Sequence, residues 1–125
     1  MKVALVSWIS PEMVKRNPNY TFLFGDNWRR VGLGGQARAC RGQPNAIGIR
    51  TKKAPAWTAD SFLTDDEYEL NCRLIAEDFE RVRAAGRPVV VPRDGLGTGR
   101  AELVQRAPRT FAFLQEQLKK LGQEK

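Results

Sequence analysis

The segment that most restricts the fold is PVVVP at residues 88–92, a wholly apolar run closed by proline at both ends. A strand this apolar on both faces has to be covered on both, which predicts a central place in a sheet flanked by helices. Residues 2–8 (KVALVSW), 20–24 (YTFLF) and 46–52 (AIGIRTK) have the β-forming content of three further strands. Gly25-Asp26-Asn27 is expected to end the second of these abruptly, and Gly48 marks a bulge or a close approach within the third. Between the first two strands, Pro11 and Pro18 leave room only for a helical turn at residues 12–16.

The clearest helix starts at Thr64. Thr64 and Glu67 have capping-box spacing, and Leu63 and Tyr68 that of a hydrophobic staple. Tyr68, Cys72, Ile75, Phe79 and Val82 then recur in steps of four and three, so they share one face, and Gly86 and Pro88 stop the helix. A last helix is predicted from Pro108, with Phe111, Leu114, Leu118 and Leu121 as its apolar stripe. Both stripes are read as core. Strands alternating with helices, without repeat, linker or low-complexity tract, predict one α/β layered domain over residues 1–125.

Composition enters chiefly through what is missing. The chain has no histidine, which excludes Ser-His-Asp and Cys-His catalysis and every zinc site that needs imidazole. Cys40 and Cys72 lie 32 residues apart without a CxxC motif, which fits reduced thiols and a cytoplasmic location. No apolar run approaches the roughly 18 residues of a membrane span, and MKVALVSWIS reads as a first strand rather than a secretory signal. No metal and no cofactor is expected.

The net charge of +7 is concentrated in one segment. Residues 28–53 carry Arg29, Arg30, Arg38, Arg41, Arg50, Lys52 and Lys53 with no acidic residue, so the rest of the chain sums to zero. The same segment holds the densest glycine cluster, VGLGGQARACRG at residues 31–42, whose GGQARAC can open a short helix at residues 34–40. Glycine lets backbone N–H groups approach a ligand, and a following helix start adds partial positive charge, so the loop suits a phosphate or diphosphate. A second glycine turn, RDGLGTG at residues 93–99, follows the PVVVP strand. Its spacing is GxGxG, neither a dinucleotide GxGxxG fingerprint nor a P-loop. In open α/β sheets ligands sit beyond the carboxyl ends of strands, so two loops that both follow strands are expected to clasp one diphosphate. Gly34 and Gly97 are expected to accept bulky replacements with loss of binding but not of fold.

FLFGDN ending at Asn27, then GLGG at residues 32–35, then RDGLGTGRAEL at residues 93–103, resembles the macro domain, the fold that binds ADP-ribose. Similarity is greatest to the branch that includes terminal ADP-ribose–protein glycohydrolase and to small phage and bacterial proteins of the same layout. The resemblance implies a three-layer, Rossmann-like mixed sheet flanked by helices. It implies ribose contact by Asn27, and diphosphate contact by Gly32, Gly34 and Gly35 and by Gly95, Leu96, Gly97, Thr98 and Gly99. The family's Gly-Asp falls at Ser7-Trp8, so Trp8 offers a stacking surface in place of a hydrogen-bond acceptor. Thr51-Lys52-Lys53 stands where that branch has its lysine nucleophile, which the resemblance gives to Lys52, with which of Lys52 and Lys53 faces the site left open. Desolvation and the charges of Lys53 and Arg50 are expected to lower the pKa of Lys52. The branch's catalytic Asp would fall near Gly99, where this chain has Gly99-Arg100-Ala101-Glu102; Asp94 or Glu102 is left to move protons. Asp26 is read as positioning ribose hydroxyls or a water, or as a plain turn residue.

The expected activity is therefore binding of ADP-ribose or a related nucleotide, with hydrolysis of ADP-ribosyl linkages on proteins as an extension. A binding-only module for a nucleotide signal is the first alternative. Nucleic-acid binding is the second, carried by the basic charge and by Trp8, Trp28 and Trp57 as stacking surfaces.

Overall fold

In the computed structural model, which describes residues 1–124, the strands β1 (Val3–Val6), β2 (Thr21–Asn27), β3 (Ala46–Lys52) and β4 (Val89–Pro92) form one sheet in the order β1-β4-β2-β3. All of β4 is buried, in the interior position its composition predicts. Every ladder is parallel, with Val3 opposite Val89, Thr21 opposite Val89 and Phe22 opposite Ala46. The sheet is thus not the mixed one that the family resemblance implies. Each link between consecutive strands passes through helical structure, which returns the chain to the same end of the sheet and makes the next strand run parallel. Antiparallel pairing is confined, among the described residues, to a single bridge between Lys52 and Phe62.

Among the described residues, five α-helices cover the two faces: α1 (Pro11–Arg16), α2 (Ala37–Cys40), α3 (Tyr68–Ala85), α4 (Leu103–Arg106) and α5 (Pro108–Gln123). Strand alternation decides which core each residue enters. Phe22, Phe24 and Val90 pack with Val14 of α1 and Ala37 and Cys40 of α2. Leu23, Val89 and Val91 face the other way, against Ile75, Phe79 and Val82 of α3 and Leu114 and Leu121 of α5. Ile75, Phe79 and Val82 of the α3 stripe and the whole α5 stripe are therefore core, as their periodicity predicts, whereas Tyr68 and Cys72 at the start of α3 are half-buried and lie outside it. Gly86 ends α3 in the left-handed conformation at φ 64°, which only glycine adopts without strain.

Three local expectations are corrected. β2 does not stop at Phe24; Gly25, Asp26 and Asn27 continue the ladder with β3, Asp26 opposite Arg50 and Asn27 opposite Lys52. The short second helix is only the four residues of α2, too brief for an appreciable dipole. Thr64 forms no capping box, because Glu67 is drawn to Lys53 and residues Asp65–Glu67 form a 3-10 turn ahead of α3.

Asp65 serves the other helix. Its carboxylate accepts from the backbone N–H groups of Arg109 (2.9 Å) and Thr110 (3.0 Å) and from the Thr110 hydroxyl (2.8 Å), capping the start of α5. Burial would raise its pKa, but these bonds and the charge of Arg109 outweigh it and hold the group below the ordinary carboxylate value. Its contribution to stability is complete above the ordinary value and is lost as pH falls through the lower folded-state value. Asp65→Ala should cost about 1 kcal/mol, as for a lost helix cap. In urea titrations the gap between wild type and variant should be full at neutral pH and shrink as Asp65 protonates in acid.

Candidate functional site

Because all four strands run the same way, their carboxyl ends meet at one edge of the sheet, and a cavity of about 580 Å³ opens there. That size lies within the range of small-molecule sites. Ser7 and Trp8 reach it from β1, and Asp26, Asn27 and residues 31–37 from β2. Lys52, Pro55 and Trp57 come from β3, and residues 94–101 from β4. The two glycine loops, far apart in sequence, thus line one space.

The loop after β2 is fixed by carboxylates. Asp26 is buried and accepts from Arg41 Nη2 (2.6 Å), Arg30 Nη1 (3.1 Å) and the Asn27 backbone N–H (2.8 Å). Gly48, across the sheet, has no side chain because a Cβ would collide with the Asp26 carboxylate. That is the close approach anticipated at Gly48. Arg30 also donates to the Gly48 carbonyl (2.8 Å) and to Asp78 Oδ1 (2.6 Å). Asp78, on α3 and 0% exposed, accepts in turn from the Arg50 backbone N–H (2.8 Å) and Nε (3.1 Å). Burial opposes the charge on Arg30, but Asp78 and Asp26 prevail and raise its pKa.

Asn27 shapes the same loop. Its Nδ2 donates to the Val31 carbonyl (2.8 Å) and its Oδ1 accepts from the Arg29 backbone N–H (3.0 Å). Gln36 ties the loop to the β1 side, accepting from the Ile9 N–H (2.7 Å) and donating to the Ile9 carbonyl (2.8 Å). Arg30 at φ 57° and Gly32 at φ 95° give the loop its left-handed turns.

The loop after β4 is a tight turn. Gly95 N–H donates to the Pro92 carbonyl (2.9 Å), Thr98 Oγ1 to the Asp94 carbonyl (2.7 Å) and Leu103 N–H to the Gly97 carbonyl (2.9 Å). The loops touch where Arg100 lies over Gly34, since a Cβ on Gly34 would stand 2.7 Å from Arg100 Nη1. Among the described residues, the backbone N–H groups of residues 32–36 and 96–100 donate to no protein acceptor. The site therefore holds two rows of donors without partners.

Lys52 rather than Lys53 lines the cavity. Its side chain is buried, donates to the Ala56 carbonyl (2.6 Å) and lies over the rings of Trp57 (4.7 Å) and Phe62 (4.4 Å). Burial, the largest influence, lowers its pKa; Glu102 opposes this, while Arg106 and Arg100 reinforce it. Lys53 and Arg50, expected from sequence to exert that pressure, do not act there. Lys53 pairs with Glu67 and lies over Trp28, and Arg50 pairs with Asp78 and Glu77.

Of the residues singled out from sequence, Trp8, Asp26, Asn27, Gly32, Gly34, Gly35, Lys52, Asp94, Gly95, Leu96, Gly97, Thr98 and Gly99 all line the cavity. Glu102 does not; it follows the turn at φ 48° and pairs with Arg106 (3.0 Å). Asp26 lines the cavity and is held by Arg30 and Arg41, through which it supports the loop. Sequence reasoning missed Arg41, Arg100 and Asp78, and placed Trp57 only among nucleic-acid stacking surfaces. Trp57 was within reach of it, since it falls five residues after a strand that ends at the site. Cys40 is no nucleophile, because burial pushes its thiol up to about 12.

A family model described as "Family of unknown function (DUF7831)" matches residues 4–117. No curated protein and no solved structure matches the chain. Among the described residues, no cluster of three His, Cys, Asp or Glu is placed to hold a metal ion, and no helix is long and apolar enough to cross a membrane.

Gly34→Leu should displace only the flexible end of Arg100, leaving the thermal midpoint unchanged while ligand affinity, read by calorimetry, falls at least about tenfold, equivalent to about 1.4 kcal/mol. Gly97→Leu should behave differently from the sequence expectation. A Cβ there would lie 2.8 Å from buried Leu103 at φ 80°, so fold stability should fall with it. Asp78→Ala removes the buried carboxylate that Arg30 and Arg50 share, leaving Arg30 only Asp26 and Arg50 only the more exposed Glu77, and should cost about 3 kcal/mol in denaturant unfolding.

Proposed function

The chain belongs to the DUF7831 family, whose function is unknown, and on that premise we propose that its cavity binds ADP-ribose or a related nucleotide diphosphate in the manner of a macro domain. The observation that carries this is the pairing of the two glycine loops. Residues 32–36 and 96–100 line one cavity, and their backbone N–H groups have no protein acceptor among the described residues. A diphosphate supplies oxygens for both rows at once, and Arg100, which has no carboxylate partner among the described residues, adds positive charge at the same wall. In this reading Asn27 and Asp26 support the first loop from behind, and Trp8 offers a face to a base.

The basic segment favours a pocket over a nucleic-acid surface. Arg30, Arg41, Arg50 and Lys53 are paired with Asp26, Asp78, Glu77 and Glu67. Half or more of the sequence's apparent basic patch is thereby spent within the fold.

A second reading, hydrolysis of an ADP-ribosyl ester, is favoured by Lys52. It lines the cavity, has no carboxylate within ion-pair distance among the described residues, and has a lowered pKa. Its neutral amine would attack the anomeric carbon and displace the protein carboxylate. The glycosylamine so formed would lose a proton and open its ribose ring, the ring oxygen leaving as a hydroxyl, to give an imine. Water would hydrolyse that imine to release ADP-ribose and restore the amine. Asp94 lines the same cavity, and in this reading it is the carboxylate assigned to exchange the protons. To attack, Lys52 must leave the Ala56 carbonyl.

Calorimetric titration with ADP-ribose, AMP and a short oligonucleotide tests the binding reading. ADP-ribose should bind most tightly and with little salt dependence; tight oligonucleotide binding with a steep log–log salt slope would favour the nucleic-acid alternative instead. Lys52→Ala should retain binding and lose hydrolysis of an ADP-ribosylated protein. Undiminished turnover in that variant excludes lysine as nucleophile, and binding without turnover in the wild type leaves a signal-binding module.

A further inference from the structure

Two tryptophans stand out at the cavity mouth. Trp8 is 61% exposed and Trp57 60% exposed, and both line the same cavity. Trp28, by contrast, is half-buried against the core. Exposed indole rings at the wall of a cavity are surfaces on which planar groups stack.

Their placement follows from the strand order. Trp8 comes two residues after β1 and Trp57 five residues after β3, and β1 and β3 are the two outermost strands. β4 and β2 lie between them, and these are the strands that deliver the two glycine loops. The strand ends preceding the tryptophans are three strand spacings apart, roughly 14 Å. The cavity therefore runs from an aromatic plate, across two rows of unpaired N–H groups, to a second aromatic plate. Lys52 and Phe62 lie against Trp57, Lys52 Nζ 4.7 Å from the Trp57 ring centre and the Phe62 ring 6.1 Å from it.

We propose that the ligand class is a dinucleotide, two bases joined through two riboses and a diphosphate, with one base on Trp8, the other on Trp57 and the diphosphate between the loops. This rests on the diphosphate reading of the loops and adds to it the second base. ADP-ribose carries a single base and would leave one tryptophan uncovered. When extended, the linker of a dinucleotide separates its bases by a length comparable to the gap between the plates. No polar side chain is needed at either plate, so stacking supplies affinity with little choice among bases.

The test uses the intact chain with NAD⁺ as the dinucleotide probe and ADP-ribose as the one-base probe, each titrated calorimetrically into wild type, Trp8→Ala, Trp57→Ala and the two Trp→Phe variants. A second stacked base is worth about tenfold or more in affinity, so NAD⁺ should bind wild type at least about tenfold more tightly than ADP-ribose. One Trp→Ala change should weaken both ligands. The other should weaken NAD⁺ alone, bringing it to the level of ADP-ribose, and the Phe variants should restore most of the loss. Both rings are exposed, so circular dichroism and thermal midpoints should not move. If ADP-ribose binds and NAD⁺ binds no tighter, or if neither tryptophan acts on NAD⁺ selectively, the second base site is overturned and the diphosphate reading stands. If neither probe binds wild type, both are overturned.

Discussion

The arrangement depends on burying carboxylates at the sheet and giving each an arginine. Asp26 sits at the end of a central strand and Asp78 on the helix that covers it, both out of solvent. An unpaired charge there would cost several kcal/mol, so the chain must bring cations to them. Arg30 bridges the two, Arg41 completes Asp26 and Arg50 completes Asp78. These bonds fix where the loop after β2 goes, because two of its anchors are the residues that neutralise the carboxylates. Gly48 belongs to the same device, since any side chain there would evict Asp26.

This explains both the successes and the failures of reading the chain from its sequence. The apolar PVVVP run, the alternating strands and the stripes of α3 and α5 depend on burial patterns local in sequence, so the layered fold and half of the cavity residues are legible. The glycine loops were legible because each directly follows a strand. What could not be read were partnerships across the chain. Glu67 has the spacing to cap its own helix, yet Lys53 claims it; Asp65, two residues earlier, caps a helix that begins more than forty residues later. The charge run from Arg29 to Lys53 looks like a surface when its carboxylate partners lie outside the window. Glu102 was placed at the site by proximity to the loop, but the backbone turns there and hands it to Arg106.

Lys52 illustrates how one position combines several constraints. Being the last residue of β3 brings it to the cavity edge, and the rings of Trp57 and Phe62 remove it from water. The rings also stabilise a cation, so the desolvation that favours the neutral amine is offset by attraction to the charged one. A ligand that displaced Trp57 would shift this balance.

The contact between Arg100 and Gly34 has a consequence for variation among chains of this kind. The two loops come from strands that are neighbours in space but about half the chain apart in sequence, and they abut where the Arg100 side chain lies over Gly34. An insertion in either loop would push into the other. Loop lengths here are therefore not independent: tolerated insertions should occur as compensated pairs, and the joint length of both segments, rather than either alone, should mark which relatives keep the same cleft.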